Sequence, residues 1–197
     1  ARRPAGSDPA AMRTRAVQDG NAFIINGTKR FITAAGRSDY VQLMAVTDPE
    51  KRARGGITCF AVDLKSPGVT LERQWPTMMG EAPWQILFEN VRVPAANVIG
   101  NVGGGFSLAQ KWISEGRIRG HGARPVGIAQ RALDMMIEYS KVRVTFGRPL
   151  ADRQAIQFMI ADSAMELHAT RLMVYECAWR QDHGDDVRNL SYMVKIM

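Results

Sequence analysis

The chain is short of cysteine, histidine and long apolar runs, and each shortage removes a class of protein. Two cysteines among 197 residues give no disulfide framework. Cys59 and Cys177 also match no metal-ligand spacing, so both read as reduced thiols of an intracellular protein. His121, His168 and His183 are isolated from one another, so they read as polar helix residues and no metal is expected. No apolar run approaches the roughly 20 residues that cross a bilayer, and no signal peptide opens the chain. No membrane partner is expected.

What is present is an ordinary globular composition, 46% hydrophobic and 23% charged, able to bury a core. The formal charge is +7, but residues 1–100 carry 13 Lys/Arg against 9 Asp/Glu and residues 101–197 carry 13 against 10. A nucleic-acid binder concentrates its basic residues in one stripe. An even surplus equally suits a polyanionic small molecule, and a nucleic-acid partner is not expected.

The first half has a short-strand pattern. Met12–Val17 leads through Asp19-Gly20 to Phe23-Ile24-Ile25, and Asn26-Gly27 predicts a tight turn before Phe31-Ile32. Further runs follow at Tyr40–Val46, Ile57–Leu64, Val69–Arg73 and Gln85–Val91, which predicts a small β-barrel or sandwich. After Gly103-Gly104-Gly105 the period becomes helical. Ala129, Leu133, Met136 and Ile137 form one apolar stripe; Ile156, Ile160, Ser163, Leu167, Val174 and Ala178 form another. Asp152 is the expected N-cap of that long helix, and Asp182-His183-Gly184 its end. Leu190, Met193, Val194 and Met197 open a further helix. The expected fold class is α+β: a barrel or sandwich domain over 1–100, then part of an antiparallel helical bundle over 101–197. Both ends read as cut from a longer protein.

Three strings carry chemistry. Arg143-Val144-Thr145-Phe146-Gly147-Arg148-Pro149-Leu150, followed by Gln154, puts a charged fork, an aromatic ring and an amide at a helix–loop–helix junction. That set suits a flat anionic ligand. Asn26-Gly27-Thr28-Lys29-Arg30-Phe31-Ile32-Thr33 ends a strand on an aromatic and a hydroxyl, and Ala5-Gly6-Ser7-Asp8-Pro9 is a small-residue loop. Each has a plainer reading. Phe31 and Ile32 could be core, Ser7 a turn residue, and Arg143 a cation at a helix C-terminus.

Together, in this order and spacing, the strings resemble the acyl-CoA dehydrogenase family, and the likeness covers essentially all 197 residues. The resemblance implies that Phe31, Ile32 and Thr33 bind the flavin ring of FAD. It implies that Arg143, Thr145, Phe146 and Gln154 bind FAD of a neighbouring subunit, which requires a homodimer or homotetramer. Ser7 and Arg117 would border the acyl-CoA substrate. The implied reaction is FAD-dependent α,β-dehydrogenation of an acyl-CoA thioester in fatty acid metabolism, with electrons passing to an electron-transfer flavoprotein. The implied location is the cytoplasm, or the mitochondrial matrix in a eukaryote. Two relatives of the same fold are alternatives: a flavin oxidase or monooxygenase, and a DNA-binding protein.

The chain departs from the family pattern at three points. Ala1 stands where a flavin-bonding threonine is usual, and Trp84 stands in a stretch usually rich in Ser and Thr. Gly116 stands just before Arg117, where one branch carries its catalytic glutamate. The adjacent Glu115 is the one catalytic candidate within the chain. The more common family base lies beyond Met197.

Overall fold

The computed structural model describes Gly6, Asp8, residues 11–78 and residues 80–197. Ser7 lies outside the described residues. The chain divides into two compact units, Ala1–Gln110 and Lys111–Met197.

The first unit is built on β1 (Arg15–Asp19), β2 (Ala22–Ile32), β3 (Tyr40–Val46), β4 (Ile57–Asp63), β5 (Val69–Gln74), β6 (Trp84–Pro94) and β7 (Val98–Ile99). They form one mixed seven-stranded sheet in the order β5-β6-β2-β1-β3-β4-β7. The ladder does not return from β7 to β5, so the expected barrel is an unclosed, curled sheet. The curl shows in one contact. Phe23 on β2 and Phe60 on β4 meet edge-to-face with centroids 5.1 Å apart, although three strand spacings of about 4.8 Å separate their strands in a flat sheet. Alternate residues turn inward and close around Phe23, Ile25, Leu43, Phe60, Ile86 and Phe88.

Asn26-Gly27 does not make the expected turn; both residues lie inside β2. The turn is Asp19-Gly20-Asn21, with Gly20 at φ 60°. Asn26 instead clasps a bulge in β6. Its Oδ1 accepts from the Asn90 amide at 2.8 Å and its Nδ2 donates to the Asn90 Oδ1 at 3.1 Å. Gly27 has φ 144°, and a Cβ there would lie 2.7 Å from the Thr14 Cα. The segment before β1 crosses here, and only a bare backbone leaves it room.

The second unit takes up the chain within α1 (Gly105–Gly116) and continues through a π-helical segment (Arg117–Ala123) into α2 (Arg124–Val142). Gly116-Arg117-Ile118 therefore lies within a continuous helical run, although glycine and the change of period after it suit the head of a helix. A two-residue-strand hairpin follows, β8 (Val144–Thr145) and β9 (Arg148–Pro149), then α3 (Gln154–Asp182) and α4 (Arg188–Ile196). Asp152 sits in a short 3-10 turn, and the N-cap of α3 is Arg153, with no side-chain cap bond. Ile118, Val174, Cys177 and Val194 form the local core. Gly122 is pressed against it: a Cβ would overlap Val194 and come within 3.1 Å of Val174. Both cysteines are buried, and burial pushes their thiols up, away from reactive thiolate.

Gly27→Ala should lower unfolding free energy by about 2 kcal/mol or more, since the new methyl meets backbone at a positive φ. Urea unfolding checks this, and an unchanged midpoint would refute the close crossing at Thr14.

Candidate functional site

Two clusters hold the residues that the sequence singled out, one in each unit. In the first, β2 ends in a second bulge. Lys29 pairs with Ile86 and Ile32 with Trp84, which leaves an extra residue on β2 between them. Phe31 takes up that slack in the left-handed region, φ 60°, where bulges normally use glycine. Both Arg30 and Phe31 consequently face outward, and Phe31 is 66% exposed. One side of its ring rests on Trp75, centroids 4.9 Å apart, and the Arg73 guanidinium lies 5.3 Å from the Trp75 ring. Ile32 turns back to pack on the core.

Thr33 is exposed and opens a cleft of about 370 Å³, shared with Ala34, Arg37, Gln74, Glu81 and Trp84. Trp84 forms its floor against Gly36, where a Cβ would lie 2.8 Å from the indole Nε1. On the other side of the β5–β6 edge, Arg30, Glu72, Arg73, Trp75 and Gln85 line a second cleft of about 450 Å³. Trp75 was missed by sequence reasoning because its partner, Phe31, is remote in the chain.

The second cluster is the junction between α2 and α3. Arg143 is the C-cap of α2, its amide donating to the Tyr139 carbonyl at 3.0 Å and its side chain exposed. Thr145 pairs with Arg148 across a two-residue turn, Phe146-Gly147, with φ of 50° and 77°. Positive φ at both positions is the signature of a type I′ turn, whose first position favours Asn or Asp. Phe146 stands there instead, 97% exposed. Holding a bulky residue in this region costs about 1–2 kcal/mol. Gln154 opens α3 and is exposed. Arg153, which no motif flagged, reaches back to this turn. Its Nη2 donates to the Thr145 carbonyl and, at 3.0 Å, to the Thr145 hydroxyl.

Arg117 and Glu115 are both half-buried. The Arg117 guanidinium sits 4.8 Å from the Tyr192 ring and donates to the Ser114 hydroxyl at 3.4 Å. His121, His168 and His183 are exposed, and His183 packs on Trp179. No cluster of metal-ligating side chains occurs among the described residues.

Two family models match consecutive stretches: the acyl-CoA dehydrogenase middle domain over residues 3–91 and the acyl-CoA dehydrogenase C-terminal domain over residues 103–197. The chain belongs to the acyl-CoA dehydrogenase family. It is 45% identical over 186 residues to the Mycobacterium bovis protein named "Probable acyl-CoA dehydrogenase fadE25", covering 93% of this chain and 47% of that one. It is 43% identical over 194 residues to CarC of Acetobacterium woodii, a caffeyl-CoA reductase–Etf complex subunit, covering 98% and 51%. Among solved structures, one described as an FAD-dependent dehydrogenase superposes with a TM-score of 0.90 at 28% identity, covering 96% and 51%. The chain thus spans about half the length of these relatives.

Lys29, two residues before Phe31, occupies the core-facing row opposite Ile86. Burial pulls its pKa down from 10.5 to about 8, and no carboxylate among the described residues pairs with it. Below pH 8 the folded chain carries this charge at a penalty. Between about 8 and 10.5 the unfolded chain holds a proton the folded chain has lost, so stability rises with pH through that window. Lys29→Met should therefore stabilise the chain at pH 7 by on the order of 2 kcal/mol. That gain should fade as the pH approaches 10.5. Urea unfolding across the pH series checks this; a gain constant with pH would place the effect in packing rather than charge.

Proposed function

We propose that residues 1–197 form the FAD-holding part of an FAD-dependent acyl-CoA dehydrogenase, an oxidoreductase of fatty acid metabolism. Residues 1–100 serve as its β-domain and residues 101–197 as the first helices of its C-terminal bundle. The observation that carries the reading is that Phe31 and Phe146, one in each signature string, are both exposed aromatics held in left-handed backbone. Strain of this kind collects at ligand sites.

The residues present fit a flat, doubly phosphorylated dinucleotide. Arg143 offers an exposed, permanently charged fork to a pyrophosphate. Thr33 presents a hydroxyl at an open cleft, and Gln154 an exposed amide for the adenosine side. Bound FAD supplies the hydride acceptor for oxidation of the acyl chain. The chain's own work is to orient and enclose: Phe31 shields the ring from water while Ile32, packed on the core, anchors the strand end behind it, Thr33 bonds its polar edge, and Thr145 and Phe146 shape the dinucleotide seat. Arg117, steadied by Tyr192 and Ser114, borders the thioester in this reading; Ser7, for which the resemblance implies the same role, lies outside the described residues. No base is assigned. Glu115 is the one candidate here, as the neighbour of Gly116.

The relative that belongs to an Etf complex supports an electron-transfer flavoprotein as acceptor. A homodimer or homotetramer follows from the intersubunit reading of the Arg143–Gln154 string; the exposed apolar stripe on α3, Phe158, Met165, Leu172 and Trp179, is a surface for a further bundle helix or a second subunit to cover. No helix among the described residues is long and apolar enough to cross a membrane. A cytoplasmic location fits the bacterial relatives.

The test uses the full-length protein. It should purify yellow and lose its flavin absorbance on anaerobic addition of an acyl-CoA; a colourless protein that takes up no FAD overturns the reading. Reoxidation by air faster than by an electron-transfer flavoprotein assigns it to the oxidases instead, and DNA retention that falls steeply with salt assigns it to the DNA-binding relatives.

Phe146→Asn supplies the residue that this turn prefers. It should raise stability by about 1 kcal/mol while weakening FAD retention about ten-fold, measured by thermal unfolding and by flavin titration. A variant that is stabilised and retains FAD as wild type removes Phe146 from the site.

A further inference from the structure

Arg153 lies outside the signature string, yet its contacts shape the Phe146 turn. Its backbone is fixed by the start of α3, since its carbonyl accepts from Ile156 at 2.9 Å and from Gln157 at 3.1 Å. Its side chain runs back across the hairpin to both oxygens of Thr145, and its guanidinium lies 5.6 Å from the centre of the Phe146 ring. The Nε atom is buried without a hydrogen-bond partner among the described residues. A buried orphan donor calls for an explanation, and the two hydrogen bonds and the ring contact of this guanidinium all go to the turn. Phenylalanine does not itself favour positive φ, so the turn needs an external hold.

We propose that Arg153 is a positioning residue. It ties the first turn of α3 to the Thr145–Arg148 hairpin through both Thr145 oxygens and so fixes the turn that presents Phe146, acting on the cofactor only through Phe146. The inference rests on the FAD reading given above. Lysine can take over only part of the role, because its compact ammonium on a flexible stem lacks the rigid planar fork that spans both Thr145 oxygens.

The decisive measurement is a double-mutant cycle in the full-length protein, with FAD dissociation constants for wild type, Arg153→Ala, Phe146→Ala and the pair. Arg153→Ala should weaken FAD binding about ten-fold in the wild-type background and by less than about two-fold when Phe146 is already alanine. Equal losses in both backgrounds overturn the proposal. Arg153→Lys, which keeps the charge and carries the cycle if the alanine variant fails to fold, should restore only part of the loss. Full restoration overturns the proposal as well. A second readout needs no cofactor: fluorine NMR of 4-fluorophenylalanine placed at position 146. Its resonance should move toward the free amino-acid value in Arg153→Ala, and an unmoved resonance overturns the lock. If that resonance moves as expected but the wild-type protein takes up no FAD, the FAD reading fails and the lock on the turn stands.

Discussion

The pairing of β2 with β6 is the constraint on which the first unit depends, and it works through two bulges that cancel. Ile25 faces Val91, but two residues later Gly27 faces Phe88, so β6 has slipped one residue at Asn90. Lys29 still faces Ile86, and then Ile32 faces Trp84, so β2 gives the residue back at Phe31. A single uncompensated slip would turn every later side chain to the opposite face. The double slip keeps Ile86 and Phe88 inside on one strand and Ile25 and Ile32 toward the core on the other. Its by-product is that Phe31 must point out. The exposure of this ring is a consequence of register, fixed by Asn26 clasping Asn90 at the far bulge.

The hairpin after α2 solves a similar problem by a different route. There the positive φ at Phe146 comes from the handedness that a two-residue turn requires, with Gly147 supplying the second position without strain. In both places an aromatic occupies backbone that glycine or asparagine would adopt more cheaply, and in both a neighbouring cation or ring lies against it. Trp75 backs Phe31, and the Arg153 guanidinium lies 5.6 Å from the centre of the Phe146 ring. Two such substitutions against local preference, each with its own support, are hard to explain by packing alone. Neither ring enters the core of its unit.

Much of this was legible in the sequence. Tyr40–Val46 is a strand to the residue, because its alternation is flanked by charged turns on both sides. The later part of the helical stripe behaves as its period requires, with Leu167 buried, Val174 in the local core and Ala178 packed against it, while Ser163 is exposed. Asn26-Gly27 misled because the dipeptide favours turns locally, whereas here Thr14 and Asn90, neither adjacent in sequence, decide its conformation. Asp152 looked like an N-cap by residue type, but a 3-10 turn advances the chain and hands the cap to Arg153. Arg117 falls in a π-helical segment that no spacing rule signals. At the candidate site, the residues proposed to contact a ligand lie in contiguous strings along the sequence. The residues that hold them, Trp75 and Arg153, act through side-chain contacts that leave no pattern along the chain.

The helical unit leaves one surface unexplained by its own packing. On α3, Phe158, Met165, Leu172 and Trp179 recur every seven residues and are all exposed, and on α2 so do Ile128, Met135 and Val142. An isolated surface helix carries one apolar stripe; a helix with two is built to be covered on two sides. A seven-residue repeat, moreover, is the spacing that keeps a seam in contact with a helix crossing at a shallow angle. Burying each of these side chains yields roughly 1.5–3 kcal/mol, so a partner helix along both seams would contribute on the scale of a whole domain's stability. The remaining helices of the proposed bundle or a neighbouring subunit would supply such a partner, and the Arg143–Gln154 junction, which connects these two helices, is proposed to serve a neighbouring subunit. The same stripes that demand a helical cover would then fix where that junction is presented, which makes the seat for the cofactor a property of the assembly as much as of the turn.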